Sequence, residues 1–254
     1  MTYNYIFAFI LGSAWGSFFH TLAARYINGE LTEKPFRALF SRSRCPACGG
    51  GINPAGLLPV LGYLVARGKC SHCGARVSPA YPLSEIAHGF LAMAALNAHG
   101  PGPLSVTVYF TLACSLTLSW IDIKTMIIPD FLNAGVLLFG LYPALTLNTA
   151  ADSLYGFLLM LIFFVIVMLI FPGAFGGGDL KFAAVSGFFL GIEQAAVMLE
   201  VSLIAGAVTG TAWAVFSGKG FRSKIPFGPF LAAGLLIAHF FGRDILLLYY
   251  SWIG

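Results

Sequence analysis

The chain has 254 residues, of which 58% are hydrophobic and only 9% charged, and its mean hydropathy is +0.85. An average soluble domain carries about 25% charged residues, so a water-covered globule is excluded and lipid is the solvent for most of this chain. The formal net charge of +4 is small, and its distribution along the chain says more than its size.

The first ten residues, MTYNYIFAFI, hold no Lys or Arg. A cleavable secretory signal starts basic, so the first apolar segment, about residues 4–26, reads as a permanent span. Residues 27–81 form the one long polar segment. Further apolar runs approach the ~17–25 residues a membrane crossing needs, at roughly 82–99, 103–121, 130–148, 153–172, 179–194, 196–217 and 228–250. The sixth is short and glycine-rich. The expectation is an all-α membrane protein, a polytopic bundle of about eight transmembrane helices. Its segments are a first helix over 1–26, a small zinc-binding domain over 27–81 and a bundle over 82–254.

Charge orients this bundle. Of 14 Lys+Arg, eight lie between Arg25 and Arg76: Arg25, Lys34, Arg37, Arg42, Arg44, Arg67, Lys69 and Arg76. With eight spans, Lys124, Lys181, Lys219, Arg222 and Lys224 fall on the same side, and Arg243 alone does not. Basic loops stay in the cytoplasm, so the 27–81 segment is expected there and both termini outside. Gly100-Pro101-Gly102-Pro103 suits an outer turn.

Within the polar segment, Cys45-Pro46-Ala47-Cys48 and Cys70-Ser71-His72-Cys73 are separated by 21 residues. Each pair is followed by glycine (Gly49, Gly74), which lets the backbone turn its amides toward the sulfurs. Two such knuckles supply the four soft ligands of tetrahedral zinc. Disulfides or free thiols are the weaker reading, since this segment faces a reducing compartment. Four-cysteine sites are typically structural and close folds that lack a core. His72 reads as a solvated residue and Cys114 as apolar packing.

Three carboxylates stand at span ends on the cytoplasmic side: Asp122, Asp130 and Asp179. An acid in such a place calls for a functional hypothesis. Two aspartates a few Å apart cannot both ionise cheaply and so share one proton. That mixed state is what amide hydrolysis needs: one group takes a proton from water while the other gives one to the carbonyl oxygen. Asp179 follows Gly176-Gly177-Gly178, whose freedom in φ and lack of side chains would let an extended substrate lie close. A plain helix N-terminus, with glycine as breaker and Asp at the positive dipole end, explains the same residues. Asp130 after Pro129 reads as helix-start chemistry with proline at the first helical position. Asp122 has no such account, because it ends a helix, where the dipole disfavours an anion. Glu85, just after Pro82, stands in the first turn of the second span, and Glu200 near the outer side of the seventh. His20 and His88 read as helix-contact residues. No serine elbow and no histidine pair of a zinc protease is present.

These features together resemble the bacterial type IV prepilin peptidases, which carry a GxGD-type motif shared with intramembrane aspartyl proteases. Gly16-Ser17-Phe18 with Arg25 is similar to the family's opening motif. Ser43-Arg44-Cys45 through Cys73 is similar to its cytoplasmic cysteine domain, and Tyr81-Pro82-Leu83-Ser84-Glu85 to the segment after that domain. Asp122 with Pro129-Asp130, Gly176-Gly177-Gly178-Asp179-Leu180-Lys181, and Ile225-Pro226-Phe227-Gly228-Pro229-Phe230 resemble three later motifs. The resemblance implies Asp122 and Asp179 as the catalytic pair, with Asp130 left out. It implies a prepilin or pseudopilin substrate cut after a Gly beyond its short basic leader, at the cytoplasmic face of a bacterial inner membrane. It also implies N-methylation with S-adenosylmethionine, an activity linked to the cysteine domain. The chain departs where the opening motif commonly has Asn and this chain has His20. No nucleic-acid partner is expected, and the oligomeric state is left open.

Two other classes fit parts of the pattern. A carrier or channel uses intramembrane carboxylates, but near the midplane rather than at one face. A non-catalytic adaptor would use the zinc ribbon to hold a partner, and leaves Asp122 and the glycine run without a purpose.

Overall fold

The computed structural model describes residues 2–33, 41–45, 47–52, 56, 58–216 and 225–253. Lys34, Arg37, Lys219, Arg222 and Lys224 lie outside the described residues. The described chain is helical: α1 (Thr2–Ile27), α2 (Glu30–Glu33), α3 (Leu61–Val65), α4 (Ala80–His99), α5 (Pro103–Thr125), α6 (Asp130–Leu147), α7 (Ala150–Ile170), α8 (Gly177–Leu190), α9 (Ile192–Phe216) and α10 (Gly228–Ile253). Among the described residues the β-structure consists of two isolated bridges, Arg44↔Gly51 and Lys69↔Arg76.

A helix occupies each of the eight predicted segments. Six are long and apolar enough to cross a membrane: α1, α5, α6, α7, α9 and α10. Eight crossings are therefore more than helix length and hydropathy support. α4 carries Glu85, His88, Asn97 and His99. α8 has 14 residues, about 21 Å at 1.5 Å per residue, against a hydrocarbon core of about 30 Å. The predicted boundary between the sixth and seventh segments also moves. The break falls at Gly191, whose φ of +77° suits glycine alone, so residues 192–194 belong to α9. Asp152 and Asn148 clamp the break: Ile192 N donates to Asp152 Oδ1 (3.2 Å) and Asn148 Nδ2 to Phe189 O (3.1 Å).

Two compact units arise, Met1–Tyr109 and Phe110–Gly254, with α5 running from one into the other. In the first unit α1 and α4 pack antiparallel. Tyr5 reaches Asn97 at one end (3.1 Å) and His20 meets the Tyr81 ring at the other (4.3 Å between centroids). Glycines set their spacing: a Cβ at Gly16 would stand 2.7 Å from His88 Cβ, and one at Gly89 would stand 2.6 Å from Ser13 Oγ. This gives Gly16 of the opening motif a packing reason. His20 and His88 are buried where the two helices meet.

In the second unit α8 is the central element, packing on α6, α7, α9 and α10. Phe182, Ala183, Ala184, Phe189 and Leu190 are all buried, so α8 needs no polar face. Lipid-facing surfaces lie on its neighbours, where Leu138, Ile162, Leu169, Ile204 and Val208 are exposed. Hydroxyls in the second half of α5 bond its own carbonyls, as in Thr117→Ala113 (2.8 Å) and Ser119→Ser115 (3.0 Å).

The α7–α8 contact brings backbone against backbone. A Cβ at Gly187 would collide with the Gly156 carbonyl oxygen and stand 2.8 Å from its carbon. Backbone cannot give way as a side chain can, so Gly187→Val is expected to destabilise the bundle by ~3 kcal/mol, the upper end of ordinary overpacking. Thermal unfolding in detergent measures this. Gly102→Ala, where nothing lies within 4 Å, serves as the control with an unchanged midpoint.

Candidate active site

α5 extends one turn beyond the predicted span, so Asp122 sits inside its last turn, 4% exposed. Its partner comes from far along the chain: Gly228 N, at the start of α10, donates to Asp122 Oδ2 at 2.8 Å. The first N–H groups of a helix have no partner within it, and Pro229 has none to offer. The anion at the unfavourable end of α5 is thus held at the favourable end of α10. Gly228 has to be glycine here, since a Cβ would stand 2.8 Å from Asp122 Oδ2 and 3.2 Å from Cγ.

Asp179 is half-buried in the first turn of α8. Its Oδ2 accepts from Gly176 N (2.8 Å), the backward half of a capping box. The two carboxyl groups lie within Coulombic reach of one another. The segments that carry their amide partners also meet, with Phe175 and Phe227 rings 4.7 Å apart. Each aspartate thus uses Oδ2 for a backbone amide. Neither Oδ1 has a hydrogen bond among the described residues.

The three glycines divide in role. None takes a positive φ, so the expected use of unusual backbone angles is not what they provide. Gly178 permits close packing, because a Cβ there would stand 2.7 Å from Ile128 Cβ. Gly176 and Gly177 are exposed, and a Cβ at Gly177 would meet nothing within 4 Å.

Asp130 is engaged elsewhere. Lys181 Nζ donates to both its oxygens (2.8 and 3.0 Å), and both side chains are exposed, so the bridge ties α6 to α8 with under ~1 kcal/mol. Pro129 is the cap before the helix, with ψ +132°, rather than its first residue. An Asp at a helix start, paired with a cation, is the arrangement here.

Sequence reasoning missed two contacts. Gly228 figured only as part of a motif; glycine before proline at a helix start was the available signal. Glu85 stands one turn deeper in α4 than expected, is buried, and accepts from Val60 N at 2.7 Å.

The cysteine segment is built as two copies of one turn. Cys45 N donates to Gly50 O and Gly49 N to Cys45 O (2.9 Å each); Cys70 N donates to Ala75 O (2.8 Å) and Gly74 N to Cys70 O (2.9 Å). The two bridges close the copies. All four sulfurs lie within 4.8 Å of one another, with Cys45–Cys73 at 3.9 Å and Cys48–Cys70 at 4.0 Å. A tetrahedral ion with 2.3 Å bonds to sulfur separates its ligands by about 3.8 Å, so the cluster can hold a metal ion, and no sulfur pair is at bonding distance. Amides of Cys73 and His72 lower the Cys70 thiol to about 6. His72 Nε2 lies 3.2 Å from Gly51 O, which joins the copies without His72 becoming a ligand. Cys114 is buried in the bundle, against Gly135.

A helical bundle with six helices of spanning length, two aspartates whose carboxyls accept from amides at two helix starts and a tetracysteine segment defines a polytopic membrane protein with a carboxyl-pair centre. The family profile described as "Bacterial Peptidase A24 N-terminal domain" matches residues 10–98, and that described as "Type IV leader peptidase family" matches 109–211. Three relatives carry the name "Prepilin leader peptidase/N-methyltransferase". That of Bacillus subtilis (strain 168) is 33% identical over 250 residues, 95% of this chain and 96% of its own. That of Burkholderia pseudomallei (strain 1026b) is 33% identical over 215 residues, 82% and 69%. That of Legionella pneumophila is 31% identical over 215 residues, 81% and 74%. No solved structure matches. The chain belongs to the type IV leader peptidase family and is a multi-pass inner-membrane protein.

Gly228→Ala tests the geometry of the pair. The added methyl pushes the Asp122 carboxyl away from its amide, and a displacement near 1 Å costs about 10²-fold in rate. The expected result is a fall of about that size in peptide-bond cleavage with a loss of about 1–3 kcal/mol in stability as the buried carboxyl leaves its amide, read by turnover assays and thermal melts on one preparation.

Proposed function

We propose that this protein cleaves the short basic leader from type IV prepilins or type II secretion pseudopilins, with Asp122 and Asp179 activating one water. It is a prepilin peptidase, as its family implies. The observation that carries the residue assignment is the pair itself: two carboxyl groups from α5 and α8, each fixed by a backbone amide and in Coulombic reach of the other.

With one proton shared, the ionised member removes a proton from water as its oxygen attacks the scissile carbonyl carbon. The protonated member gives its proton to the carbonyl oxygen. As the diol collapses, one hydroxyl gives its proton back to the second member while the first gives its proton to the departing amine, and the C–N bond breaks. The exposed edge at Gly176 and Gly177 offers an extended substrate room beside Asp179. The distribution of Lys and Arg supports a cytoplasmic site and cysteine segment.

Methylation of the new N-terminus, with S-adenosylmethionine as methyl donor, is the second activity proposed; the relatives' names support it. Zinc is the metal proposed for Cys45, Cys48, Cys70 and Cys73, where four thiolates suit it and would close a structural site. Segments 1–26, 27–81 and 82–254 serve as anchor, metal domain and protease bundle.

The test is purified protein with a prepilin, wild type against Asp179→Asn, read by mass spectrometry. Loss of the leader in wild type alone supports the reading, and cutting by the variant overturns the site assignment. With S-adenosylmethionine present, a mature chain one methyl heavier establishes the second activity.

A further inference from the structure

We propose that residues 58–76 form a docking surface for anionic phospholipid, with α3 lying in the headgroup region of the bilayer. Leu58, Leu61, Leu64 and Val65 are 56–79% exposed on and beside one short helix. Such an apolar cluster in an otherwise polar segment calls for a covering. Immediately after it comes a groove lined by Tyr63, Arg67, Lys69, Arg76 and Ser78. Lys69 and Arg76 face each other across a bridge, where like charges repel. Among the described residues none of the three cations has an ion pair.

Depth decides what covers this face. Val60, the residue before α3, donates its N–H to Glu85, five residues beyond the start of α4 at Ala80. That is about 7.5 Å along the helix, so α3 starts level with the second turn of α4, whose partner α1 is long and apolar enough to cross a membrane. Apolar side chains buried ~5–10 Å into the interface beside a basic cluster are the marks of a peripheral element on an anionic surface. Thiolates of a metal site could use Lys69 and Arg76 as counter-charges, but that leaves Arg67 and the four apolar side chains without a role. A basic leader peptide would be repelled by the same three cations. The inference does not rest on the catalytic assignment, and it takes from the proposed topology only which leaflet is met.

The full-length, metal-loaded protein is placed in nanodiscs of phosphatidylcholine alone or with phosphatidylglycerol, and amide exchange across residues 58–69 is followed without substrate. Exchange is expected to be about tenfold slower with phosphatidylglycerol, given three cations near the surface. The difference should shrink at high salt and be lost in Arg67→Gln/Lys69→Gln/Arg76→Gln and in Leu61→Ser/Leu64→Ser. The second variant alters only exposed side chains, so it keeps the fold if the first disturbs the cysteine turns. Equal exchange in the two bilayers overturns the proposal, as does slowing that both variants retain. Slowing that arises only on adding a prepilin also overturns it and marks the face as a peptide site.

Discussion

Asp122→Asn and Asp179→Asn are each expected to lower leader cleavage by about 10³-fold or more, the size that positioned proton transfer contributes. Asparagine keeps the shape and still accepts from Gly228 N or Gly176 N, so both variants should melt like wild type. What asparagine cannot do is share a proton. Because the pair acts as a unit, the double variant should be no slower than either single one. If Asp179 were only a helix-start residue, the result would differ in kind: cleavage largely intact, with at most ~0.3–1 kcal/mol lost as the charge leaves the helix dipole. Mass spectrometry of the prepilin, beside thermal melts, separates these outcomes. The wild-type rate should also be bell-shaped in pH. At low pH both groups are protonated and no base remains; at high pH both are ionised and no acid remains. The two limbs belong to the pair and not to either residue.

Removing the metal is the second large effect. Among the described residues from 41 to 79 only Cys45 and Gly62 are buried, so the segment has almost no apolar core to hold it. A metal held by the four cysteines would then supply nearly all of its folding free energy, ~10 kcal/mol or more if the ion is a structural zinc at neutral pH. A strong chelator, or Cys48→Ser with Cys73→Ser, is expected to leave amides of 43–51 and 69–76 exchanging as in an unfolded chain. Trypsin should then cut at Arg44, Lys69 and Arg76. The bundle, with its own buried Phe182, Phe189 and Leu235, should keep its exchange protection. Falling pH acts in the same direction, because protons compete with the metal for the thiolates. Protection unchanged after complete metal loss would show that the two turns stand on hydrogen bonds alone.

The cysteine turns were legible because they are local. Ligand spacing and the glycine after each pair write the whole knuckle into about eight residues, and the structure adds only the bridges that close it. The membrane character was equally legible, since hydropathy is a property of segments. Span number was less so: α4 and α8 have the pattern of their neighbours, but α4 carries polar residues and α8 stops at Gly191. That glycine looks like several others until its φ is known. The partner of Asp122 was not legible at all, because Gly228 lies 106 residues away and only folding brings the start of α10 to the end of α5.

By itself, then, the sequence determined a lipid-solvated helical chain, a tetracysteine segment able to hold a metal and two aspartates at span ends, because composition, periodicity and short spacing act within one element. Tertiary structure alone decided that the Asp122 carboxyl meets the N-terminus of α10. It also decided that Gly178 and Gly228 are closeness residues and that Glu85 anchors α3 at the depth of α4. Those facts depend on which helix ends meet, and an unpaired N–H finds its acceptor through space and not along the chain.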